Sequence, residues 1–277
     1  MSEASEPQPA AAKKLTFQSA LKVATLAEAT LEPTKHATLI YNQSAEAVSN
    51  FDRYYVNSQR ILEQSGKPVS GADELLRAML LFACSGLDAV VKQLVQDALE
   101  LILREDAGAQ NEFRKFVERR IKRGSSDDAD RLSVGGSVVD SKLLAELMVS
   151  FDPRARLVAM LTRSLTSESL QSKDQLLKVA AHFALEAPEV MDEPNVTKEA
   201  FDARNQIVHE MDVDLASGNA RRSRDYAMMV KWSDNILNTS RRFIGAVESK
   251  LPGGSTKNEA DPIFPIAGLE ETRSTEA

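Results

Sequence analysis

Cysteine is almost missing from the 277 residues: Cys84 stands alone, so no internal disulfide can form and the fold must be held by its apolar core. Its apolar surroundings give the thiol the ordinary role of a small buried side chain, in keeping with a reducing compartment. Aromatic residues make up 5% of the chain and glycine only 12 positions, while Ala, Leu, Glu, Lys and Arg are plentiful, a balance that favours helices over sheets. An excess of positive charge is also lacking. With 34 Lys and Arg against 41 Asp and Glu, the net charge of -7 excludes a general polyanion-binding coat and confines any nucleic-acid contact to a local patch. The longest apolar stretch, residues 75–103, is interrupted by Arg77, Asp88, Lys92 and Asp97, and the first residues lack the basic-then-apolar pattern of a secretion signal. The expectation is a soluble cytoplasmic protein with no membrane partner.

Chemistry-bearing residues are equally sparse. The three histidines, His36, His182 and His209, lie in separate segments without metal-ligand spacing, and Cys84 has no evident catalytic partner. Gly135-Gly136 is not followed by the Gly-Lys-Ser/Thr of a phosphate-binding loop, and serine-hydrolase and dinucleotide motifs are absent. No metal and no cofactor are expected.

What the chain does contain is apolar residues at helical spacing, with strand signals too weak for a sheet. Residues 1–13 read as a flexible arm, followed by a short amphipathic helix over Leu15, Leu21, Val23, Leu26 and Leu31 that ends at Pro33. Residues 34–64 form a long helix, stopped by Ser65-Gly66-Lys67-Pro68, which either packs in the core or contributes to a dimer seam. Residues 14–66 are thus assigned as an added N-terminal helical hairpin. Capped by Ser70 or Asp73, residues 73–104 form the most apolar helix. Its Leu76, Leu80, Leu87, Val91 and Leu94 cover more than one face, making it the centre of a bundle spanning residues 70–250. Ser85 and Asp88 are its polar exceptions, and Asp88 either points to solvent or meets an inward cation.

Residues 112–123 carry six basic and two acidic residues around Phe113, Phe116, Val117 and Ile121. Two readings stand: a solvated face over a packed aromatic stripe, or an RNA-backbone contact through Arg119, Arg120 and Lys122. Residues 124–139 read as a mobile loop, and residues 141–150, 153–163 and 169–186 as shorter helices. A connection at 187–194 leads to a helix capped by Thr197, with Val196 and Phe201 as a hydrophobic staple. The last helix covers residues 220–250. Residues 251–277 read as a disordered tail containing the apolar island Ile263-Phe264-Pro265-Ile266.

The penultimate helix holds Arg204-Asn205-Gln206-Ile207-Val208-His209. At 100° per residue, Ala200, Phe201, Ile207, Val208 and Met211 form its apolar face, with Arg204 near the centre. A guanidinium there needs an acceptor, for which Asp88 on the central helix is the candidate. Asn205 and His209, one turn apart, face away from that stripe and are open to a partner.

This pattern resembles the HEPN superfamily, helical bundles whose signature is Arg, then a polar residue, then His four to six residues after the Arg. The match is Arg204, Asn205 and His209, and the resemblance covers residues 73–250, closest to members associated with RNA-targeting and phage defence. It implies an all-α bundle and a metal-independent endoribonuclease working as a homodimer on RNA, as a defence or toxin effector, with room for a regulatory protein partner. By the same resemblance His209 acts in acid-base chemistry or orients the 2′-hydroxyl, Arg204 stabilises the charged phosphorane and Asn205 positions phosphate. Related toxins carry a Tyr two residues beyond the His, where this chain has Met211, so control by modifying that Tyr is not expected. The alternative is a non-catalytic RNA-binding or scaffold protein whose motif helix holds a dimer together.

Overall fold

The computed structural model describes residues 18–22, 26, 31–67, 69, 71–122, 131–134, 137–214, 218 and 220–253, with only the backbone of 131–134 and 137–139. The N-terminal arm, most of the short helix expected before Pro33, a cap at Ser70, most of the 124–139 loop and the C-terminal tail from residue 254 on, with its apolar island, lie outside the described residues, while Leu251, assigned to that tail, is buried in the core. The class is all-α. Helices α1 (Glu32–Ser65), α2 (Ala72–Asp97), α3 (Leu99–Glu105), α4 (Ala107–Lys122), α5 (Ser141–Met148), α6 (Pro153–Thr166), α7 (Lys173–His182), α8 (Ala187–Val190), α9 (Pro194–Glu210) and α10 (Tyr226–Lys250) carry the core. Two short antiparallel ladders, β1 (Arg131–Val134) with β2 (Ser137–Asp140) and β3 (Val213–Asp214) with β4 (Ala220–Arg221), correct the expectation of no strands without altering the class.

Three long helices make the centre. α1 starts with proline in its first turn and ends where Gly66 adopts φ +66° and donates its N–H to the Leu62 carbonyl, the left-handed stop that glycine permits without strain. α2 runs antiparallel to α1: His36 meets Asp97 at one end, and Phe51 packs on Phe82 toward the other. α10 also runs antiparallel to α1, with Thr34 donating to Glu248, Tyr226 donating to Asp52, and the Tyr55 and Tyr226 rings stacked. Leu76, Leu80, Leu87, Val90 and Leu94 of α2 are fully buried between these neighbours, which accounts for a helix apolar enough, by length and composition, to cross a membrane. α1 shares this core through Ala37, Tyr41, Ala45 and Val48. Residues 18–22, expected to be helical, are irregular; Ser19 donates to Asp52, and the Lys22 N–H to Asp234.

The α1–α2 contact depends on Gly86. A Cβ added there would stand 2.0 Å from Ser44 Oγ and 2.5 Å from Ser44 Cβ. The hydroxyl could rotate away, but the Cβ could not without moving α1, so an intrinsically poor helix residue is required at this crossing. Gly86→Ala is therefore expected to destabilise the fold by about 1–3 kcal/mol in urea unfolding despite better helix propensity. Ser44→Gly in the same chain should recover most of the loss; no recovery would rule out this contact as the cause.

The central helix is interrupted at Ala98, where φ -112° and ψ -28° separate α2 from α3, a break that the continuous apolar pattern conceals. Beyond it, α4 turns Phe113 and Phe116 toward the core and holds Arg119, Arg120 and Lys122 at the surface. Phe116 meets His182 of α7 edge-on, with ring centroids 6.4 Å apart. His182 is buried, and its Nδ1 has no hydrogen-bond partner among the described residues. Burial pushes its pKa down to about 4; nearby Glu112 opposes that shift, while Arg119 and Lys178 reinforce it.

An unfolded histidine titrates near about 6.5, so between that pH and about 4 the unfolded chain binds the extra proton. Stability is thus fully present above the upper value and falls as pH drops through this window, by roughly 3 kcal/mol. Urea midpoints measured from about pH 7.5 to about pH 4 should show this slope, and His182→Leu should flatten it. An unchanged slope in the variant would refute the assignment.

Candidate active site

Pro194 in the first turn starts α9, whose Val196, Ala200, Phe201, Ala203 and Ile207 are buried against its neighbours. Thr197 is not the cap. It lies inside the first turn, fully buried, donating to the Glu193 carbonyl and accepting from Asn235 of α10. Trp232 Nε1 donates to Glu199 one turn along, so α9 lies antiparallel on α10.

Arg204 is partly buried beside Cys84, whose thiol burial pushes up to about 12 even though the guanidinium opposes the shift. That thiol is protonated near neutral pH and is not a nucleophile. The expected Arg204–Asp88 pair does not form. Asp88 Oδ1 accepts the Leu170 N–H at 2.8 Å, and Oδ2 accepts from Lys92 at 2.9 Å. A carboxylate satisfied by a backbone amide and by an ammonium one turn away on its own helix has little left to offer a guanidinium.

Asp88 nevertheless lies close to the motif by an indirect route. It anchors Leu170, the neighbouring Gln171 carbonyl accepts from Asn205 Nδ2 at 3.1 Å, and Asn205 Oδ1 accepts from Arg204 Nη1 at 3.0 Å. Asn205 therefore orients Arg204 while tied to the segment before α7. Among the described residues no carboxylate lies within ion-pair distance of Arg204.

His209 is exposed in the last turn of α9 and makes no hydrogen bond to another described residue. Val208 and Met211, expected on the buried face, are instead 42% and 66% exposed. For Met211 the reason is local. Met211 (φ +50°) and Asp212 (φ +58°) both adopt the left-handed conformation, so the helix ends there and the chain swings away. Two successive non-glycine residues in this region cost of order 1–2 kcal/mol each and persist only where their surroundings hold them.

Asp212 supplies that hold, although the sequence reading did not single it out. Fully buried, it accepts from Arg77 Nε at 2.8 Å and from Arg224 Nε at 3.1 Å, while Arg224 Nη2 bonds its other oxygen. Burial pushes the carboxyl up, but the hydrogen bonds and charges of Arg224 and Arg77 outweigh it and hold the group below the usual carboxylate range. Its stabilising charge is accordingly present above about 4 and is lost as pH falls further.

The neighbouring arginines are neutralised as well, Arg221 by Glu74 and Arg222 by Glu210. Two signals pointed to this cluster: Arg77, a lone charge in the first apolar turns of α2, and the run Arg221-Arg222-Ser223-Arg224 just after the motif.

The candidate RNA-binding residues Arg119, Arg120 and Lys122 are not brought to the motif by direct packing: α4 packs on α7, and α7 on α9. A groove between α2 and α6, lined by Val95, Glu100, Val158, Arg163 and Thr166, takes in none of the motif residues. Among the described residues, no three His, Cys, Asp or Glu side chains group as metal ligands. No protein family, curated protein or solved structure matches this chain.

Proposed function

We propose that this chain is a metal-independent endoribonuclease of the HEPN type, acting as a homodimer across the α9 surface. One observation carries the reading. In a region where Arg77, Arg221, Arg222 and Arg224 are all ion-paired, Arg204 has no carboxylate beside it among the described residues, and the exposed His209 on the same helix bonds to none of them. An unpaired guanidinium suits a phosphate, and imidazole suits proton transfer near neutral pH. The exposed Val208 and Met211 flank His209 with apolar surface suited to a second copy.

In the reaction, an imidazole takes the proton from a ribose 2′-hydroxyl as its oxygen bonds to phosphorus. The bond from phosphorus to the 5′-oxygen breaks, and that oxygen receives a proton. Arg204 stabilises the charge on the phosphorane and Asn205 sets its orientation. The products are a 2′,3′-cyclic phosphate and a free 5′-hydroxyl. By its resemblance to HEPN proteins, this activity suits a defence or toxin effector.

The test is incubation of the purified chain with single-stranded RNA in EDTA, beside the same sequence as DNA and a His209→Ala preparation made in parallel. Cleavage of RNA alone, with cyclic-phosphate ends, is expected from the wild type. If no RNA is cut, or the His209→Ala preparation cuts equally, the catalytic reading fails and the scaffold alternative takes its place.

A further inference from the structure

We infer that Asp212 is the positioning residue for His209, fixing the last turn of the motif helix against α2 and α10. The inference rests on the ribonuclease reading for its purpose, though not for its geometry. His209 makes no hydrogen bond to a described residue, so the placement of its imidazole depends on the backbone of its turn.

Asp212, three residues on, has every polar group engaged. Its N–H donates to the Gln206 carbonyl at 3.0 Å, and its own carbonyl accepts the Arg222 N–H at 2.8 Å. Both carboxylate oxygens are held by guanidiniums, Arg77 from the first turns of α2 and Arg224 from just before α10. Arg224 Nη2 also donates to Gln206 Oε1 at 2.9 Å, so Gln206 is held by its side chain as well as its backbone. Arg77 Nη2 donates to the Arg222 carbonyl at 2.8 Å, closing the ring from the other side.

Residues 206 and 212 thus bracket His209; both are bonded to Arg224, and Arg77 holds Asp212 as well. Without the carboxylate, the left-handed pair Met211 and Asp212 keeps only its backbone hydrogen bonds, and the last turn of α9 unwinds more readily. A side chain that must meet a second copy from an exposed position needs this restraint from its own chain, because a loose catalytic group loses much of its rate advantage.

The experiment uses the full chain with Asp212→Asn and, because that change can unseat two guanidiniums and unfold the protein, Arg224→Gln as a second variant that leaves Arg77 on the carboxylate. Imidazole signals of the three histidines are recorded by nuclear magnetic resonance and assigned with His209→Ala. Cleavage kinetics are measured on an RNA oligonucleotide. In a variant with wild-type helical circular dichroism, the His209 signal should shift or broaden while that of His36 stays in place. kcat should fall about tenfold or more, with KM within about twofold, as expected for lost alignment rather than lost binding.

A folded variant whose His209 signal and kcat match the wild type overturns the inference, and so does one in which KM alone changes. If the wild type cuts no RNA, the ribonuclease reading fails separately, and the His209 signal still decides whether Asp212 fixes that turn.

Discussion

Asp212→Ala is expected to lower the stability of the fold by about 3–5 kcal/mol, because it strips two buried guanidiniums of their shared carboxylate. The Arg77 and Arg224 side chains are only 5% and 9% exposed, and Asp212 is wholly enclosed, so water cannot take over the lost interactions without opening the structure. Arg77 would keep a hydrogen bond to the Arg222 carbonyl and a longer one to Glu74; Arg224 would keep Gln206 and its position 6.0 Å from the Trp232 ring. Those contacts leave two charges buried with less than one full counter-charge.

A small domain is stable by only about 5–15 kcal/mol, so the loss should move the urea midpoint far toward water. The penalty comes from stranding charge, and therefore Arg77→Met combined with Asp212→Ala should cost less than the two single changes added together. A loss below about 1 kcal/mol, or strict additivity, would place the cluster among ion pairs of little consequence.

This cluster also marks the limit of what the sequence conveys. Local rules read well. Gly66 stops α1, Pro153 opens α6, and the density of Leu and Val makes α2 central, whereas α9 opens at Pro194 and not at the expected cap Thr197. Each of these depends on residues within a turn or two of one another. Arg77 and Asp212 are separated by 135 positions, and nothing in either neighbourhood names the other.

The same limit explains Asp88. An inward carboxylate and an inward guanidinium on adjacent helices looked complementary, yet a backbone amide at Leu170 and a lysine on its own helix took the carboxylate instead. Val208 and Met211 were misplaced for a different reason. For Met211 the helical projection carries the α9 pattern past its true end at Glu210, whereas the left-handed pair at Met211 and Asp212 turns the chain and leaves that side chain outside; Val208 lies within α9, on its exposed side. That displacement gives the motif its exposed apolar border.

Under the proposed reading, His209→Ala lowers kcat for RNA cleavage by about 10²–10⁴-fold, the usual contribution of one acid-base group. The fold should not suffer, since the imidazole is exposed and bonds to no described residue, so unfolding curves of variant and wild type should coincide. Arg204→Ala should cause a loss of similar order through the phosphorane charge.

The two side chains sit five residues apart, about 140° around the α9 axis, with Arg204 partly buried and His209 exposed. One helix is poorly placed to bring both onto a single phosphate, whereas two helices facing each other can pair the His209 of one copy with the Arg204 of the other. Mixing inactive Arg204→Ala with inactive His209→Ala decides the matter. A mixed dimer keeps one complete pair if the pair spans the interface and none if it lies within a chain. Activity should therefore reappear on mixing, toward a quarter of the wild-type level on the order expected for random exchange when half the dimers are mixed and each holds one of two sites. No recovery, with exchange verified by differently tagged chains, would put the two groups to work within one subunit and remove the need for a site shared between copies.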